Sequence, residues 1–354
     1  MLTLDNITDP IHNENRHYSA LDNFFLQFIR DKRDLPFVYM TLQVTFIIIP
    51  LGILLFMPFI TGWAWGVLAL TYLLINTLIY KGPFGLMLHC TSHRKFFKKK
   101  YDKMNYYLPW IVAPFFGQSP ETYFAHHIAM HHPENNMPTD KSSTLFYQRN
   151  SIKGFLMYFG DFILFGVLRL THYFKDKNHL KMFWRAMLGE LIFFGICGLL
   201  CLISWKAVLV VFIIPLFITR FVQMLGNWTQ HAFIDSSEPD NPYKNSITCI
   251  NVKYNHKCWN DGYHISHHIR PALHWTGHPH HLIDNQDEYA KNNAIIFDGL
   301  DFLGVFLCLM SKNYDKLARH FVDIGNQFNS REEIKEFLQA RNQKLQPAEI
   351  SKAA

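Results

Sequence analysis

The sequence predicts an all-α membrane protein, with four transmembrane helices in two hairpins beneath a helical cap on the cytosolic side. Three observations carry this expectation. The apolar residues, 49% of a 354-residue chain, are concentrated in long uncharged runs. Basic residues crowd onto one flank of those runs, and the paired histidines gather beside the runs rather than inside them.

Residues 35–60 carry no charge and are long enough to cross roughly 30 Å of hydrocarbon as a helix. Residues 63–80 form a second uncharged run. Only Thr61 and Gly62 separate the two, which leaves room for a tight turn and makes a hairpin. Pro50 and Gly52 are tolerable inside a membrane helix. Residues 191–205 and 207–219 make a second hairpin, split at Trp205-Lys206, and reach full length if 186–188 and 221–225 join them. Glu190 and Arg220 then lie near one membrane face, where long side chains reach the head groups. Residues 106–116, 154–171 and 294–310 mix apolar with charged or proline positions and read as interfacial. The last of these leaves room for a fifth span. In 331–346 charged and apolar residues alternate, as in a solvated amphipathic helix followed by a loose tail.

The turn at 58–62 has no Lys or Arg, and the second turn has only Lys206. Arg94, Lys95, Lys98, Lys99, Lys100 and Lys103 follow the second run closely. The positive-inside rule then puts both termini and the long segments on the cytoplasmic side. Beside apolar runs such a basic stretch marks anionic head groups, not nucleic acid. The first 34 residues are polar and lack a signal-peptide core. Six cysteines show no paired framework and read as free thiols.

The histidines fall into ordered groups. His89 and His93 form HxxxH after the second run. His127, His131 and His132 form HxxxHH. His231 follows the fourth run, and His264, His267 and His268 form HxxHH. All lie on the cytoplasmic side of the expected topology. On a helix, residues three or four apart share a face, with Cβ atoms about 5–6 Å apart, so paired imidazoles can hold one metal. Neutral imidazole suits iron, zinc or copper. Nine histidines exceed the needs of one ion, so two ions are the economical reading. One HxxxH arises often by chance, whereas the three groups in this order do not. His126 and the H-W-T-G-H-P-H-H stretch at 274–281 read as supporting or surface residues, the latter as a loop.

The order HxxxH, HxxxHH, HxxHH resembles the membrane fatty acid desaturase superfamily, which includes alkane and lipid hydroxylases. The stretch from Asn260 through Asp261, Gly262 and Tyr263 to His268 is similar to that family's third histidine box and its Gly-acidic-Gly lead-in, with Asn260 in place of the first glycine. Asn227 to His231 is similar to the N-x-x-x-H segment after the fourth span of acyl desaturases. The resemblance implies a cytosolic cap with two iron ions held by His89, His93, His127, His131, His132, His231, His264, His267 and His268. It implies a metal-bound water on Asn227. Asp261 is a candidate acceptor that orients a ligand imidazole, or a turn residue before Gly262. No catalytic side chain is expected apart from this centre. The chain would then divide into a cytosolic N-terminal segment (1–34), a membrane catalytic domain (35–285) and a C-terminal helical cap and tail (286–354).

The activity so implied is oxygen-dependent desaturation of a long fatty acyl chain, carried on lipid, coenzyme A or a carrier protein, by a protein embedded in membrane lipid. Its electrons would come from a separate donor such as a cytochrome b or ferredoxin, because the sequence has no haem, dinucleotide or iron–sulfur signature of its own. The location would be the endoplasmic reticulum of a eukaryote or the inner membrane of a bacterium. A di-iron hydroxylase of acyl chains, alkanes or other lipids is the near alternative. A histidine-rich metal or haem membrane protein is a remote one, since haem carriers place paired histidines within their spans and none occurs in 35–60, 63–80 or 191–219.

Overall fold

The computed structural model describes residues 2–346, so the tail expected from Pro347 onward lies outside the described residues. The chain is mostly helical. Among the described residues, four helical runs are long and apolar enough to cross a membrane: Lys32–Leu54, Gly62–His93, Ile152–Asp176 and Leu180–Gln230. They carry large apolar side chains in the open, among them Phe46, Trp63, Leu78 and Leu202, which are 72–84% exposed. Surfaces of this kind suit lipid, which satisfies apolar side chains but no free backbone groups.

Local chemistry sets the ends of these runs. Asp31 opens the first, its carboxylate accepting from the Arg33 N–H, with Pro36 in the first turn. Gly62, at φ 60°, begins the second. That run continues through a π-turn at Ile75–Tyr80 into Lys81–His93, which carries the first histidine pair.

The structure refines the sequence expectations. Residues 154–171, expected to be interfacial, belong to the longer helix Ile152–Asp176, which is long and apolar enough to cross a membrane. The expected split of residues 191–219 at Trp205-Lys206 falls within one residue of the break in Leu180–Gln230, where Ser204 takes an extended conformation (φ −159°, ψ 101°). The fold is not all-α: Ile247–Ile250 and Ile295–Asp298 pair as a two-stranded parallel sheet, Ile247 opposite Ile295. With it goes the possible fifth span. Residues 294–310 break at Gly299 (φ 69°) into that strand and the nine-residue helix Phe302–Met310, only about 14 Å long at 1.5 Å per residue.

The chain divides into two compact units. One comprises residues 12–129 and 170–221. Its helices are tied by buried polar groups: Tyr72 Oη and Asn76 Nδ2 both donate to the Phe115 carbonyl at 2.9 Å, and Lys81 Nζ donates to Thr219 Oγ1 at 2.7 Å. Phe84 stacks on Phe116, with ring centres 4.2 Å apart. Glu190 and Arg220, expected near one membrane face, are paired at 3.0 Å. Gly117, at φ 74°, permits the close approach of the 113–117 turn to Leu216; a Cβ there would stand 2.0 Å from the Leu216 nitrogen.

The other unit comprises, among the described residues, 2–11, 130–169 and 222–346. Its main core gathers Phe233, Phe302, Val305, Leu317 and Leu338 around the strand residues Ile247, Cys249 and Phe297. The fully buried Arg149 donates to the carbonyls of Ala232, Thr144 and Arg341 at 3.0–3.3 Å, fastening three chain segments together. The N-terminal segment joins this unit through Asp9, which accepts from Tyr263 Oη at 2.7 Å and from the Asn251 N–H at 2.8 Å.

Candidate metal centre

In the first unit three histidines converge. His89 and His93 are one turn apart at the end of Lys81–His93, with ring centres 5.1 Å apart. His127 follows the short helix Thr122–His126, its ring centre 4.5 Å from His89 and 5.3 Å from His93, nearly edge-on to both. One ligand nitrogen of each lies within 4.8 Å of the others. Tyr123 stacks on His127 at 5.3 Å and steadies its plane.

In the second unit six histidines converge. His264, His267 and His268 sit on the helix His264–Ile269. Gly262 makes its entry possible: a Cβ there would stand 2.5 Å from the Cys249 carbonyl and 2.3 Å from Asn255 Oδ1. Asn260, where the resemblance expects glycine, has φ 57°. Asn is among the few side chains that tolerate this left-handed region, so the departure keeps the turn.

His131, His231, His264 and His268 form a quartet whose ligand nitrogens all lie within 4.8 Å of one another. Nε2 of His264 is 3.2 Å from Nε2 of His231 and 3.0 Å from Nε2 of His268. His132 and His267 bring their Nε2 atoms to 2.9 Å. An ion about 2.1 Å from both nitrogens of such a pair, a usual metal–imidazole distance, would see them at roughly 90–100°. That is the angle of adjacent positions in an octahedron, narrower than in a tetrahedron.

The ring orientations are set from behind. His131 Nδ1 is 2.7 Å from the buried carboxylate of Asp140, and His231 Nδ1 is 2.8 Å from the Asn245 carbonyl. A carboxylate and a carbonyl can only accept, so both rings carry their proton on Nδ1 and turn a bare Nε2 inward. Burial pushes the His231 pKa down to about 3, with the neighbouring His131 adding to it. Burial, then His264 and the other nearby imidazoles, pushes His268 well below the ordinary histidine range. Neutral imidazole is the metal-binding form, so donor type, spacing and protonation all fit a metal ion.

The remaining expected residues have defined partners. Asn227 Nδ2 donates to the Ser142 carbonyl at 2.9 Å and to Tyr158 Oη at 2.7 Å. Asp261 accepts from Tyr254 Oη at 2.7 Å and from Gln230 Nε2 at 3.2 Å. The sequence reading did not single out Asp140. Its oxygens also accept from the Asn136 N–H and from Ser142, so it is fixed by its own turn. The only trace in sequence is a carboxylate shortly after the second box. His278 meets Ser266, on the third-box helix, at 2.7 Å, in keeping with a supporting role. It begins a helix, His278–Asp284, rather than the expected loop, because Pro279 fits a first helical turn.

The fatty acid desaturase family model matches residues 63–298, about two thirds of the chain. Comparison with curated proteins and with solved structures finds no match. The match takes in all nine histidines, and the chain belongs to the fatty acid desaturase family.

Proposed function

We propose that the protein desaturates a long fatty acyl chain using dioxygen, at two iron ions held by His89, His93, His127, His131, His132, His231, His264, His267 and His268. The observation that carries this reading is the quartet: four inward imidazoles, two with their tautomers fixed by Asp140 and by the Asn245 carbonyl. The quartet holds one ion. The triad His89, His93 and His127 supplies donors for the other, and His132 and His267 complete the ligand set that the family resemblance implies. Paired iron supplies, when bound, the oxidising power that removes hydrogen from an unactivated methylene, which acid–base side chains cannot do.

The chain's own part is to hold nine imidazole nitrogens in place. Asp140 and the Asn245 carbonyl orient the rings they touch. Asn227 has committed its amide nitrogen to Ser142 and Tyr158, so its carbonyl oxygen is the end that can accept from a water at the centre. Asp261 holds Gln230, next in sequence to His231. The spans form two hairpins with the histidines on the cytoplasmic side, in the endoplasmic reticulum or a bacterial inner membrane, and a separate cytochrome b or ferredoxin delivers the electrons.

The test is iron per chain in purified protein, with lipid analysis of cells producing the protein or its His267→Ala variant. Two irons and new unsaturated chains, both lost in the variant, are expected. Hydroxylated products with two irons would move the reading to a hydroxylase; haem, or folded protein that takes up no iron, would overturn it.

A further inference from the structure

Beside the first histidine pair lies a cavity of about 150 Å³, wholly within the first unit. It is far larger than the ~30 Å³ that one water occupies in the liquid. Its walls include Thr91 and Ser92, which lie between His89 and His93 in sequence, and Tyr123, which stacks on His127. The space is therefore continuous with the turns that present the triad.

The charged groups on its walls satisfy one another. Lys95 pairs with Asp102 at 2.8 Å. Arg185 pairs with Glu121, whose other oxygen accepts from Trp110 Nε1 at 2.7 Å, and its guanidinium covers the Phe124 ring at 4.0 Å. With each cation matched by a carboxylate, the cavity has no net charge to attract a phosphate. Asn105 is spent on Asp102 and on the Phe97 N–H, and Ser119 on Glu190.

Gln118 is the exception. It is only 7% exposed and lines the cavity, and its Oε1 has no hydrogen-bond partner in the protein. Leaving a buried carbonyl of this kind unmet is costly, and a ligand's donor would relieve that cost. A carboxamide can both accept and donate, which matches a hydroxyl.

We propose that this cavity seats an uncharged, hydroxyl-bearing lipid head group, with Gln118 as its hydrogen-bonding partner. The acyl chain would then be presented on a neutral glycerolipid-type carrier, not on coenzyme A or a phosphorylated carrier. The proposal rests on the acyl-chain reading above and adds the class of carrier.

The experiment is equilibrium binding, without oxygen so that no turnover intervenes, of three probes with the same acyl chain: a monoacylglycerol, the methyl ester and the coenzyme A ester. Wild-type protein is compared with Gln118→Met, which keeps the side chain's shape, and iron content reports whether the variant has folded. The monoacylglycerol should bind about ten-fold more tightly than the methyl ester to wild type, and the variant should erase that difference while leaving methyl ester binding unchanged. Tightest binding of the coenzyme A ester, or an unchanged ratio in an iron-loaded variant, overturns the proposal. If the variant does not fold, the wild-type ratio decides: ten-fold supports the proposal and near unity refutes it. Intact discrimination without any oxidised product in air, with a reduced cytochrome b or ferredoxin supplied as electron donor, would leave the head-group site standing and remove the desaturase reading instead.

Discussion

Asp140→Asn isolates the orientation of a single imidazole. One carboxylate oxygen of Asp140 meets His131 Nδ1 at 2.7 Å and the Asn136 N–H at 3.1 Å, and the other accepts from the Ser142 N–H and Oγ, both at 2.7 Å. Asparagine preserves the shape and can keep the Ser142 side. On the His131 side it presents an NH₂ group, a donor facing two donors. His131 can meet that group only by moving its own proton to Nε2, the nitrogen that points into the quartet. Loss of a partner behind a metal-binding histidine typically weakens metal affinity by about 10–100-fold, which is about 1.4–2.7 kcal/mol. The assay is iron retained per chain after dialysis against graded chelator, with thermal unfolding of the metal-free proteins alongside. On the proposed two-iron assignment, the variant should surrender one iron at about 10–100-fold lower chelator strength and keep the other. Wild-type retention of both would refute the argument that Asp140 fixes the His131 tautomer for metal binding.

His264→Ala and His89→Ala should each leave about one iron per chain, because each removes a donor from a different ion; a His264→Ala protein that retains two would contradict the quartet. Arg149→Met should lower stability by at least about 3 kcal/mol, since a buried cation bonded to three carbonyls is lost and charge-assisted bonds contribute ~1.5–3 kcal/mol each; an unchanged melting temperature in detergent would contradict it. Gly117→Ala forces a Cβ to 2.0 Å from the Leu216 nitrogen at φ 74°. The left-handed conformation alone costs ~1–2 kcal/mol, so lower folded yield and easier proteolysis should follow, and a variant with wild-type yield and protease resistance would refute the close approach.

The nine histidines were legible because the chemistry that needs them also dictates local spacing: one turn of helix brings His89 to His93 and His264 to His268. The apolar runs were legible because a bilayer demands length and uncharged composition. Other features depend on a single backbone residue. Ser204 takes an extended conformation within an otherwise continuous apolar run; the charge of Lys206 located that break to within two residues but not its backbone form. In Ile152–Asp176, Asp161 and Arg169 carried the interfacial reading; the structure pairs these two side chains with each other, which partly neutralises the charge of a helix that also has the length and composition of a span. The strand at Ile295–Asp298 was hidden because a run of buried β-branched residues reads equally well as the start of a helix.

The groups behind the imidazoles were illegible for a different reason. A metal-binding histidine requires an acceptor on its far nitrogen, but any acceptor serves. His131 uses a carboxylate nine residues away, and His231 a backbone carbonyl fourteen residues away. The backbone carbonyl has no signature because every residue has one; what selects Asn245 is the turn that aims it, held by its own side chain donating to the Asn135 and Pro239 carbonyls. Asn245→Ala would leave the His231 acceptor chemically intact and free only its direction. Loss of iron in that variant would therefore measure the orientation of the carbonyl, whereas loss in Asp140→Asn measures the identity of the acceptor. Together the two variants separate the two ways in which the fold fixes a proton on the outer side of a ring.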